Sequence, residues 1–470
     1  MSLGTAERRQ RRANGLPLPE TGPRGRWDWL KSPWLWVTVV ATVIYAAALL
    51  WMYLDVSADR QVEGGVNPGL NWTALKQSAV YAAPTLAFWT LLFLVVDRYR
   101  PLRGRLWWLA LGWGGAIATG LSLIVNSWAA SHLAIQGDGD PASGERVAVF
   151  VAPFVEEASK ASILFVIALL IRYRVVSKVS GVVLAGLSAA AFAFTENIIY
   201  YARVIVYATS QIGVGNADAA VAQLVFMRGT LTCFGHPLFT SLTGVGFAVS
   251  LRTHSKVVRV LAPLVGYCAA VLLHMTFNSQ VGNLSEIGLY VAAGSIWLFV
   301  VLPAFIWLWR QVMLQGRLIR DRLTDYVRMG WLTSADPQVQ GRLWLRMRCL
   351  TLAATRGWRT LVATHRLQRI LGELAYLRDS EVKGLVDDAA RLRARDLLAE
   401  AQSLRGTAID NPTGLKHKLP RLSIRRKVQA PPPLYPGPAG LAGSWPAPTS
   451  GTPLGSSSYS PVDPRWGPPQ

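Results

Sequence analysis

The chain alternates long apolar runs with short polar segments, and the runs are long enough to cross a bilayer. About 20 apolar residues, at a rise of about 1.5 Å each in a helix, span a hydrocarbon core about 30 Å thick. The run at 219–251 is too long for one ordinary span, and Gly235 and Pro237 near its middle predict a kink or break. The pattern predicts eight membrane-spanning helices, near residues 34–54, 78–96, 106–131, 147–171, 179–201, 219–251, 260–280 and 287–309.

Composition supports the same fold class. The chain is 51% hydrophobic and only 16% charged, whereas a soluble domain is about 25% charged. We therefore expect an all-α, polytopic membrane helix bundle of about eight helices. The net charge of +21 would suggest a nucleic-acid partner in a soluble chain, but the positive-inside rule explains the basic loops, so we expect a bilayer and no nucleic acid. Contact between the basic C-terminal part and anionic lipid headgroups stays open as an alternative.

Charge alternates between successive loops. Asp55 and Asp138 stand in segments that follow the first and third spans, whereas Arg98 and Arg172 follow the second and fourth. Loops rich in lysine and arginine stay on the cytoplasmic side. The pattern predicts a multi-pass protein of the cell membrane with both termini in the cytoplasm.

The parts outside the spans differ in character. Beyond residue 310 the chain remains basic but gains helical periodicity, which indicates amphipathic helices. Trp331, Trp344 and Trp358 among arginines fit either a face lying on the membrane or a small helical domain with its own core. We expect four regions: a disordered basic segment at 1–32, a transmembrane region at 33–310, a cytoplasmic helical region at 311–406, and a disordered tail rich in Pro, Gly and Ser at 407–470.

The fourth span carries the most unusual stretch of the chain. Glu156, Glu157 and Lys160 lie within five positions of an otherwise apolar helix. A charged group at membrane depth costs several kcal/mol, so such groups usually face a polar interior and mark function. Because Lys160 follows the two glutamates by four and three residues, its ammonium lies on the side that they share.

Other polar groups fall at membrane depth in the following spans. Glu196 lies in the fifth span, His236 in the sixth and His274 in the seventh, and we expect these three to meet the fourth-span residues in a shared wet pocket. Asn197 adds an amide next to Glu196, and Asn278 lies one turn from His274. Arg228 also falls in the broken run, where a membrane-interface position and a buried one fit the sequence equally well.

This set suits hydrolysis of an amide bond. A carboxylate can deprotonate water, an imidazole can protonate the leaving amine, and an amide can donate to the developing oxyanion. The same groups also suit a divalent metal such as zinc, since two histidines and a glutamate form a catalytic zinc set. The residues alone leave both mechanisms open, and the zinc motif HExxH is not present in the sequence.

Two alternatives come from other functional classes. Buried Glu, His and Lys also build the proton relays of ion- or proton-coupled transporters, but such transporters usually contain inverted repeats, and none is visible between the halves of this chain. In the other alternative the charged groups only hold helices together. A buried ion pair is weak evidence for stability, because removing its charges from water is costly, and this counts against the alternative.

The ordered set of motifs resembles that of the PrsW family of bacterial intramembrane proteases, over about residues 34–310. The motifs are Glu-Glu-x-x-Lys at 156–160, Phe-x-x-x-Glu-Asn at 192–197, a histidine at 236, and His-x-x-x-Asn at 274–278. The family is similar to CAAX prenyl endopeptidases and bacteriocin-immunity proteins, whose pattern has Glu-Glu-x-x-x-Arg and a histidine at the position of Glu196. The basic helices and the tail lie outside the resemblance.

The resemblance implies a membrane peptidase, described both as metal-dependent and as glutamate-type, that cleaves a single-span protein such as an anti-sigma factor. Carried over by position, it implies a catalytic set of Glu156, Glu157, Glu196, His236 and His274, with Lys160, Asn197 and Asn278 supporting it. A metal, if present, would be held by the group Glu157, Glu196, His236 and His274.

Overall fold

The chain folds almost entirely into helices in the computed structural model, which describes residues 30, 32–62, 65–99, 101–102, 104–133, 147–171, 177–210, 217–281, 286–385 and 388–416. The segments predicted to be disordered, 1–32 and 407–470, lie outside the described residues except for positions 30, 32 and 407–416. The helical fold class is confirmed.

The elements follow one another in a simple order. A short antiparallel hairpin of β1 (Arg60–Val62) and β2 (Gly65–Asn67) follows the first helix. The helices are α1 Pro33–Val56, α2 Trp72–Val96, α3 Gly104–Gly112, α4 Thr119–Leu133, α5 Ala152–Ile171, α6 Lys178–Ser210, α7 Ala217–Phe226, α8 Gly235–Ser250, α9 Lys256–Val281, α10 Glu286–Ile296, α11 Leu302–Arg328, α12 Ala335–Gln340, α13 Leu343–Ala354, α14 Trp358–Val382 and α15 Asp388–Leu404. Three of the described stretches are π-helical. Trp113–Ala118 joins α3 to α4, Met227–Leu231 continues α7, and Trp297–Val301 joins α10 to α11.

Six helices within the described residues are long and apolar enough to cross a membrane. Two further segments predicted as spans, 147–171 and 219–251, are not among these six. One contains α5, which carries Glu156, Glu157 and Lys160, and the other is divided, with α8 only 16 residues long. The six are Pro33–Val56, Trp72–Val96, Gly104–Ala130, Lys178–Tyr207, Lys256–Gln280 and Tyr290–Arg328. A multi-pass membrane bundle is therefore confirmed, while the count of eight spans and the cytoplasmic termini stay predictions.

Helix α6 lies at the centre of the bundle and is buried along most of its length. Its small residues allow neighbouring backbones to come close, as expected for membrane helices. A Cβ atom on Gly181 would lie 2.1 Å from the carbonyl oxygen of Gly244 on α8, and one on Gly114 would lie 1.8 Å from that of Ser188. Glycine is therefore required at both crossings, which set the distances between the helices that carry the polar residues.

The predicted break in the sixth apolar run is confirmed. Helix α7 ends at Phe226, the π-helical stretch Met227–Leu231 follows, and α8 begins at Gly235. Pro237 stands near the start of α8, where its missing N–H leaves no helical hydrogen bond unmade. The break places His236 in the first turn of a new helix, facing the interior of the bundle.

The C-terminal helices pack against the arginine-rich ends of the membrane helices. Helix α11 runs without interruption across the predicted boundary at residue 310, and α14 contacts a loop of the membrane region. Arg346 of α13 donates hydrogen bonds to the carbonyl oxygens of Arg98 and Tyr99, at 3.1 and 3.0 Å. Asp379 of α14 pairs with Arg252 at 2.5 Å, in the loop between α8 and α9.

Of the tryptophans noted in this region, Trp331 is partly buried against the main core. Trp344 and Trp358 are 61% and 75% exposed. Val339, Cys349 and Leu352 belong to a small separate core. The helices thus combine a small core of their own with packing onto the membrane region.

Candidate active site

The fourth-span residues are held in place by hydroxyl groups of neighbouring helices. Ser188 of α6 donates a hydrogen bond of 2.9 Å to the carbonyl oxygen of Lys160. Ser122 of α4 lies 3.2 Å from the hydroxyl of Ser159, and Trp113 donates to the Ser159 carbonyl at 3.1 Å. These contacts fix α5 so that Glu156, Glu157 and Lys160 all face the interior.

Glu157 is fully buried and both of its carboxylate oxygens are engaged. Oε1 accepts from Lys160 Nζ at 2.6 Å and lies 3.0 Å from His274 Nδ1. Oε2 accepts from the Thr240 hydroxyl at 2.7 Å. Glu157 therefore joins α5, α8 and α9, and it does not line the cavity described below.

Lys160 is the internal cation of the site. Its ammonium, fully buried, lies 2.6 Å from Glu157, 3.5 Å from Glu156 Oε2 and 2.9 Å from His236 Nδ1. It also lies 4.5 Å from the centre of the Phe192 ring, within cation–π range. The ammonium thus offsets two carboxylates, as the spacing on α5 suggests, and it also donates to one imidazole.

Glu196 and His236 form the second half of the site. Glu196 Oε2 lies 3.0 Å from His236 Nε2 and accepts from Arg228 Nη2 at 2.6 Å. Arg228 also donates from Nε to Asn197 Oδ1 at 2.8 Å. Arg228 therefore belongs to the site, whereas the sequence left its depth undecided.

Glu156 differs from the other carboxylates in its surroundings. Its side chain is 8% exposed, and Oε1 accepts a long hydrogen bond of 3.4 Å from Asn126. Oε2 accepts no hydrogen bond, although Lys160 lies 3.5 Å away and His274 Nε2 lies 3.9 Å away. A buried carboxylate oxygen that accepts no hydrogen bond from the protein is rare, and such an oxygen is a candidate position for a water, an ion or a reacting group.

A cavity of about 720 Å³ opens beside this carboxylate. Volumes between about 300 and 1,000 Å³ are typical of ligand-binding pockets. The walls come from the second half of α6, the start of α5 and the end of α9, which are the ends remote from the arginine-rich loops. The polar residues on its wall include Asn126, Glu156, Glu196, Arg228, His236 and His274.

Residues 103–308 match the family model of PrsW family intramembrane metalloproteases. This part of the chain is a PrsW-family domain. It contains α3 to α10 and the first turns of α11, and with them every polar residue of the site. The resemblance in the sequence is thereby confirmed, and with it the coarse function of a multi-pass membrane protease. No curated protein and no solved structure matches the chain.

The PrsW description names a metalloprotease, and the donor atoms fit a divalent cation. One donor atom each from Glu156, His236 and His274 lies within 4.8 Å of the other two. Two imidazole nitrogens and one carboxylate oxygen are a known catalytic zinc set. Glu156 Oε2, which accepts no hydrogen bond, supports this set.

This set differs from the metal group expected from the PrsW resemblance, which included Glu157 and Glu196. Glu157 Oε1 and Oε2 already accept hydrogen bonds from Lys160 and Thr240. Glu196 Oε2 is held by Arg228 and by His236. Among the described residues, the two histidines group with Glu156 instead. His236 Nδ1 and Nε2 lie 2.9 Å from Lys160 and 3.0 Å from Glu196, so His236 would give up one of these contacts to bind a cation.

The supporting amides have different tasks in the PrsW-family domain. Asn197 accepts from Arg228, whereas Asn278 donates at 2.8 Å to the backbone carbonyl oxygen of Ala148, ahead of α5. Asn278 therefore ties α9 to the start of the glutamate helix, although it also lines the cavity. Thr240 and Asn126 were missed by sequence reasoning, because neutral polar residues are common in apolar helices and only the fold reveals their partners.

Proposed function

We propose that the protein is an intramembrane endopeptidase that uses activated water to hydrolyse a peptide bond in a membrane-embedded or membrane-adjacent protein. The observation that carries this proposal is Glu156, a cavity-lining carboxylate whose Oε2 lacks a hydrogen bond and lies 3.9 Å from His274 Nε2. The single-span substrate class, including anti-sigma factors, is taken from the resemblance.

Glu156 is the proposed general base. It borders the cavity, where water and substrate can reach it, and its free oxygen can accept a proton from water. Glu157 is proposed as a positioning residue, because its oxygens are occupied and it lies behind the cavity wall. This assignment narrows the choice between the two glutamates that the sequence left open.

His274 is oriented for a role beside Glu156. Its Nδ1 lies 3.0 Å from Glu157 Oε1. A carboxylate there accepts a hydrogen bond from the ring N–H, so Nε2 is left as the basic nitrogen of a neutral ring. That nitrogen lies 3.9 Å from Glu156. A histidine held by a carboxylate in this way can ligate a metal or take part in proton transfer to the leaving amine.

Glu156, His236 and His274 are the residues that would hold a divalent cation. When bound there, the cation would supply Lewis-acid activation of water and of the scissile carbonyl. Glu157 would hold the His274 ring in position, and Glu196 would do the same for His236. Metal content of the purified protein gives a readout apart from activity. Glu156→Gln and His274→Ala are expected to lower it, whereas Glu381→Gln, on the exposed surface of α14, is not.

The cleavage test compares cells whose own copy is replaced by the wild-type gene, by Glu156→Gln or by Glu381→Gln. Glu381 is an exposed glutamate of α14, so its replacement is the matched control. New N-termini in membrane proteins are then mapped by mass spectrometry. We expect at least one N-terminus that is present with wild type and Glu381→Gln and is missing with Glu156→Gln. Identical sets of N-termini in all three strains would refute the proposal.

A further inference from the structure

Helix α14 lies across the ends of membrane-spanning helices. A Cβ atom on Gly372 would lie 3.0 Å from the carbonyl oxygen of Tyr99, just beyond the end of α2. Further along α14, the carbonyl oxygen of Lys383 lies 2.8 Å from His254 Nε2, just before the start of α9. Because α2 and α9 are both long and apolar enough to span a membrane, this half of α14 runs along the surface of the bilayer.

The contacts of this half of α14 come from one face of the helix. Gly372 meets the loop after α2. Four positions on, the centre of the Tyr376 ring lies 5.9 Å from the Arg252 guanidinium, and seven positions on, Asp379 pairs with the same arginine. Residues four and seven positions apart share a helix face. This face of α14 therefore points to the membrane region.

The same face continues to the start of α14, where it is exposed. Trp358, Val362 and His365 precede Gly372 by 14, 10 and 7 positions, and at about 100° per residue all three lie within about 80° of it around the helix. Trp358 is 75% exposed and Val362 is 44% exposed, and His365 is exposed as well. An indole and an isopropyl group that the described residues leave uncovered thus face in the direction of the bilayer.

The surroundings of Trp358 are basic. Residues 337–372 contain seven arginines and no aspartate or glutamate. Arg356 and Arg359 stand on either side of Trp358 in the sequence, and Arg359 is exposed. Indole rings are enriched at the level of lipid headgroups, and arginines near an anionic leaflet strengthen the contact. The aromatic ring and the positive charge therefore both match a surface of anionic headgroups.

Trp344 of α13 offers a comparison in the same basic region. It is 61% exposed, yet it stands two positions before Arg346 and so lies about 200° from it around the helix. Arg346 donates to the carbonyl oxygens of Arg98 and Tyr99, just beyond α2. Trp344 therefore points away from the ends of the membrane helices, in contrast to Trp358.

We propose that Trp358, Val362 and Arg359 form a docking surface for anionic lipid headgroups of the bilayer that the protein itself crosses. This docking surface continues the face of α14 that already contacts the loops beside α2 and α9. The indole of Trp358 lies among the headgroups, and the long side chain of Arg359 reaches a lipid phosphate from the flank of the helix. Docking holds the start of α14 against the membrane, as Asp379 holds its end.

The first test places a photo-crosslinking residue, benzoylphenylalanine, at position 358 or at position 344 of the full-length protein in bilayer discs. After irradiation, mass spectrometry counts the lipid molecules joined to each position. Both positions hold exposed tryptophans in the same basic region, so position 344 is the matched control. We expect lipid to be attached at 358 several-fold more often than at 344. Equal or smaller amounts at 358, or attachment to another protein or to nucleic acid in place of lipid when whole cells are irradiated, would overturn the inference.

The second test asks whether the charge of the headgroup matters. Amide hydrogen exchange of residues 358–366 is measured in discs of phosphatidylcholine with and without anionic phosphatidylglycerol. Exchange should be slower with the anionic lipid, and Arg359→Gln should remove much of that difference, since one arginine near an anionic surface changes binding about 5-fold. Trp358→Ser should also reduce it, whereas Trp344→Ser should keep it.

Both replaced side chains of the docking surface are exposed, so the variants are expected to fold. Exchange that does not respond to the anionic lipid, or that responds as in wild type in both Trp358→Ser and Arg359→Gln, would overturn the inference. Neither test needs a substrate, so a failure here is distinguishable from a failure of the proposed peptidase function.

Discussion

Lys160→Met tests the role of the buried ammonium. The side chain is fully buried and lies 2.6 Å from Glu157, 3.5 Å from Glu156 and 2.9 Å from His236. Removing one partner of a buried ion pair costs about 3–5 kcal/mol, because the other charge is left unpaired in a region of low dielectric constant. Lys160→Met leaves Glu157 with only Thr240 and His274 as hydrogen-bond partners. We therefore expect a loss of stability near the upper end of that range.

Thermal unfolding followed by tryptophan fluorescence measures this loss, and the 19 tryptophans of the chain provide the signal. A change of 1 kcal/mol shifts Tm by about 2–4 °C in a domain of roughly 200 residues, so Lys160→Met should unfold about 10–20 °C below wild type. The double variant Glu157→Gln/Lys160→Met removes both charges and keeps a hydrogen-bonding group near Thr240. It should recover at least half of the lost Tm.

The pair of variants separates charge from packing. If the loss came only from the shape of the side chain, the double variant would be no more stable than Lys160→Met. That result, or a Tm of Lys160→Met equal to that of wild type, would refute the argument that the ammonium balances the carboxylates of α5.

Three further predictions concern the fold around the site. Asp379→Asn leaves Arg252, Arg322 and Lys383 without their shared carboxylate. Thermal unfolding should show that the variant is less stable than wild type by about 2–3 kcal/mol. An unchanged Tm would mean that α14 is held by packing alone. Burial alone would raise the pKa of Asp379. Hydrogen bonding and charge from Lys383, together with the charge of Arg252, lower this pKa by more than burial raises it, so it lies below the usual value. The carboxylate therefore stabilises the fold above about pH 4, and this stability should be lost as the pH falls below that value; a loss beginning at neutral pH would contradict the assignment. Gly181→Ala should lower stability by about 1–3 kcal/mol or more, because its Cβ would lie 2.1 Å from a carbonyl oxygen, while Gly294→Ala, which meets nothing within 4 Å, should be neutral or slightly stabilising.

The membrane class and the break in the sixth run could be predicted from sequence, because both depend on local hydrophobicity and on Gly235 and Pro237. The grouping of Glu156, Glu157 and Lys160 could also be predicted, since residues three and four apart share a helix face. The structure brings Glu196, His236 and His274 to the same place. Their shared location was suggested by the cost of burying each one in lipid.

The division of tasks between Glu156 and Glu157 could not be predicted. Adjacent helical residues point about 100° apart, so Glu156 and Glu157 face different surroundings. Glu157 is held away from the cavity by contacts that include the hydroxyl of Thr240, which is distant in sequence. The role of Arg228 was equally hidden. Its depth depends on the π-helical stretch Met227–Leu231, which no periodicity in the sequence marks.

The most direct test of the account is the origin of the oxygen in the new carboxylate. Purified protein in bilayers is mixed with the substrate found by N-terminal mapping, in water enriched in heavy oxygen, and the new C-terminal peptide is weighed by mass spectrometry. The account predicts that wild type gives a product with one heavy oxygen atom. It also predicts that Glu156→Gln gives no product, although the Tm of this variant is close to that of wild type. A product without heavy oxygen, or full cleavage by Glu156→Gln, would contradict the claim that Glu156 activates water in this site.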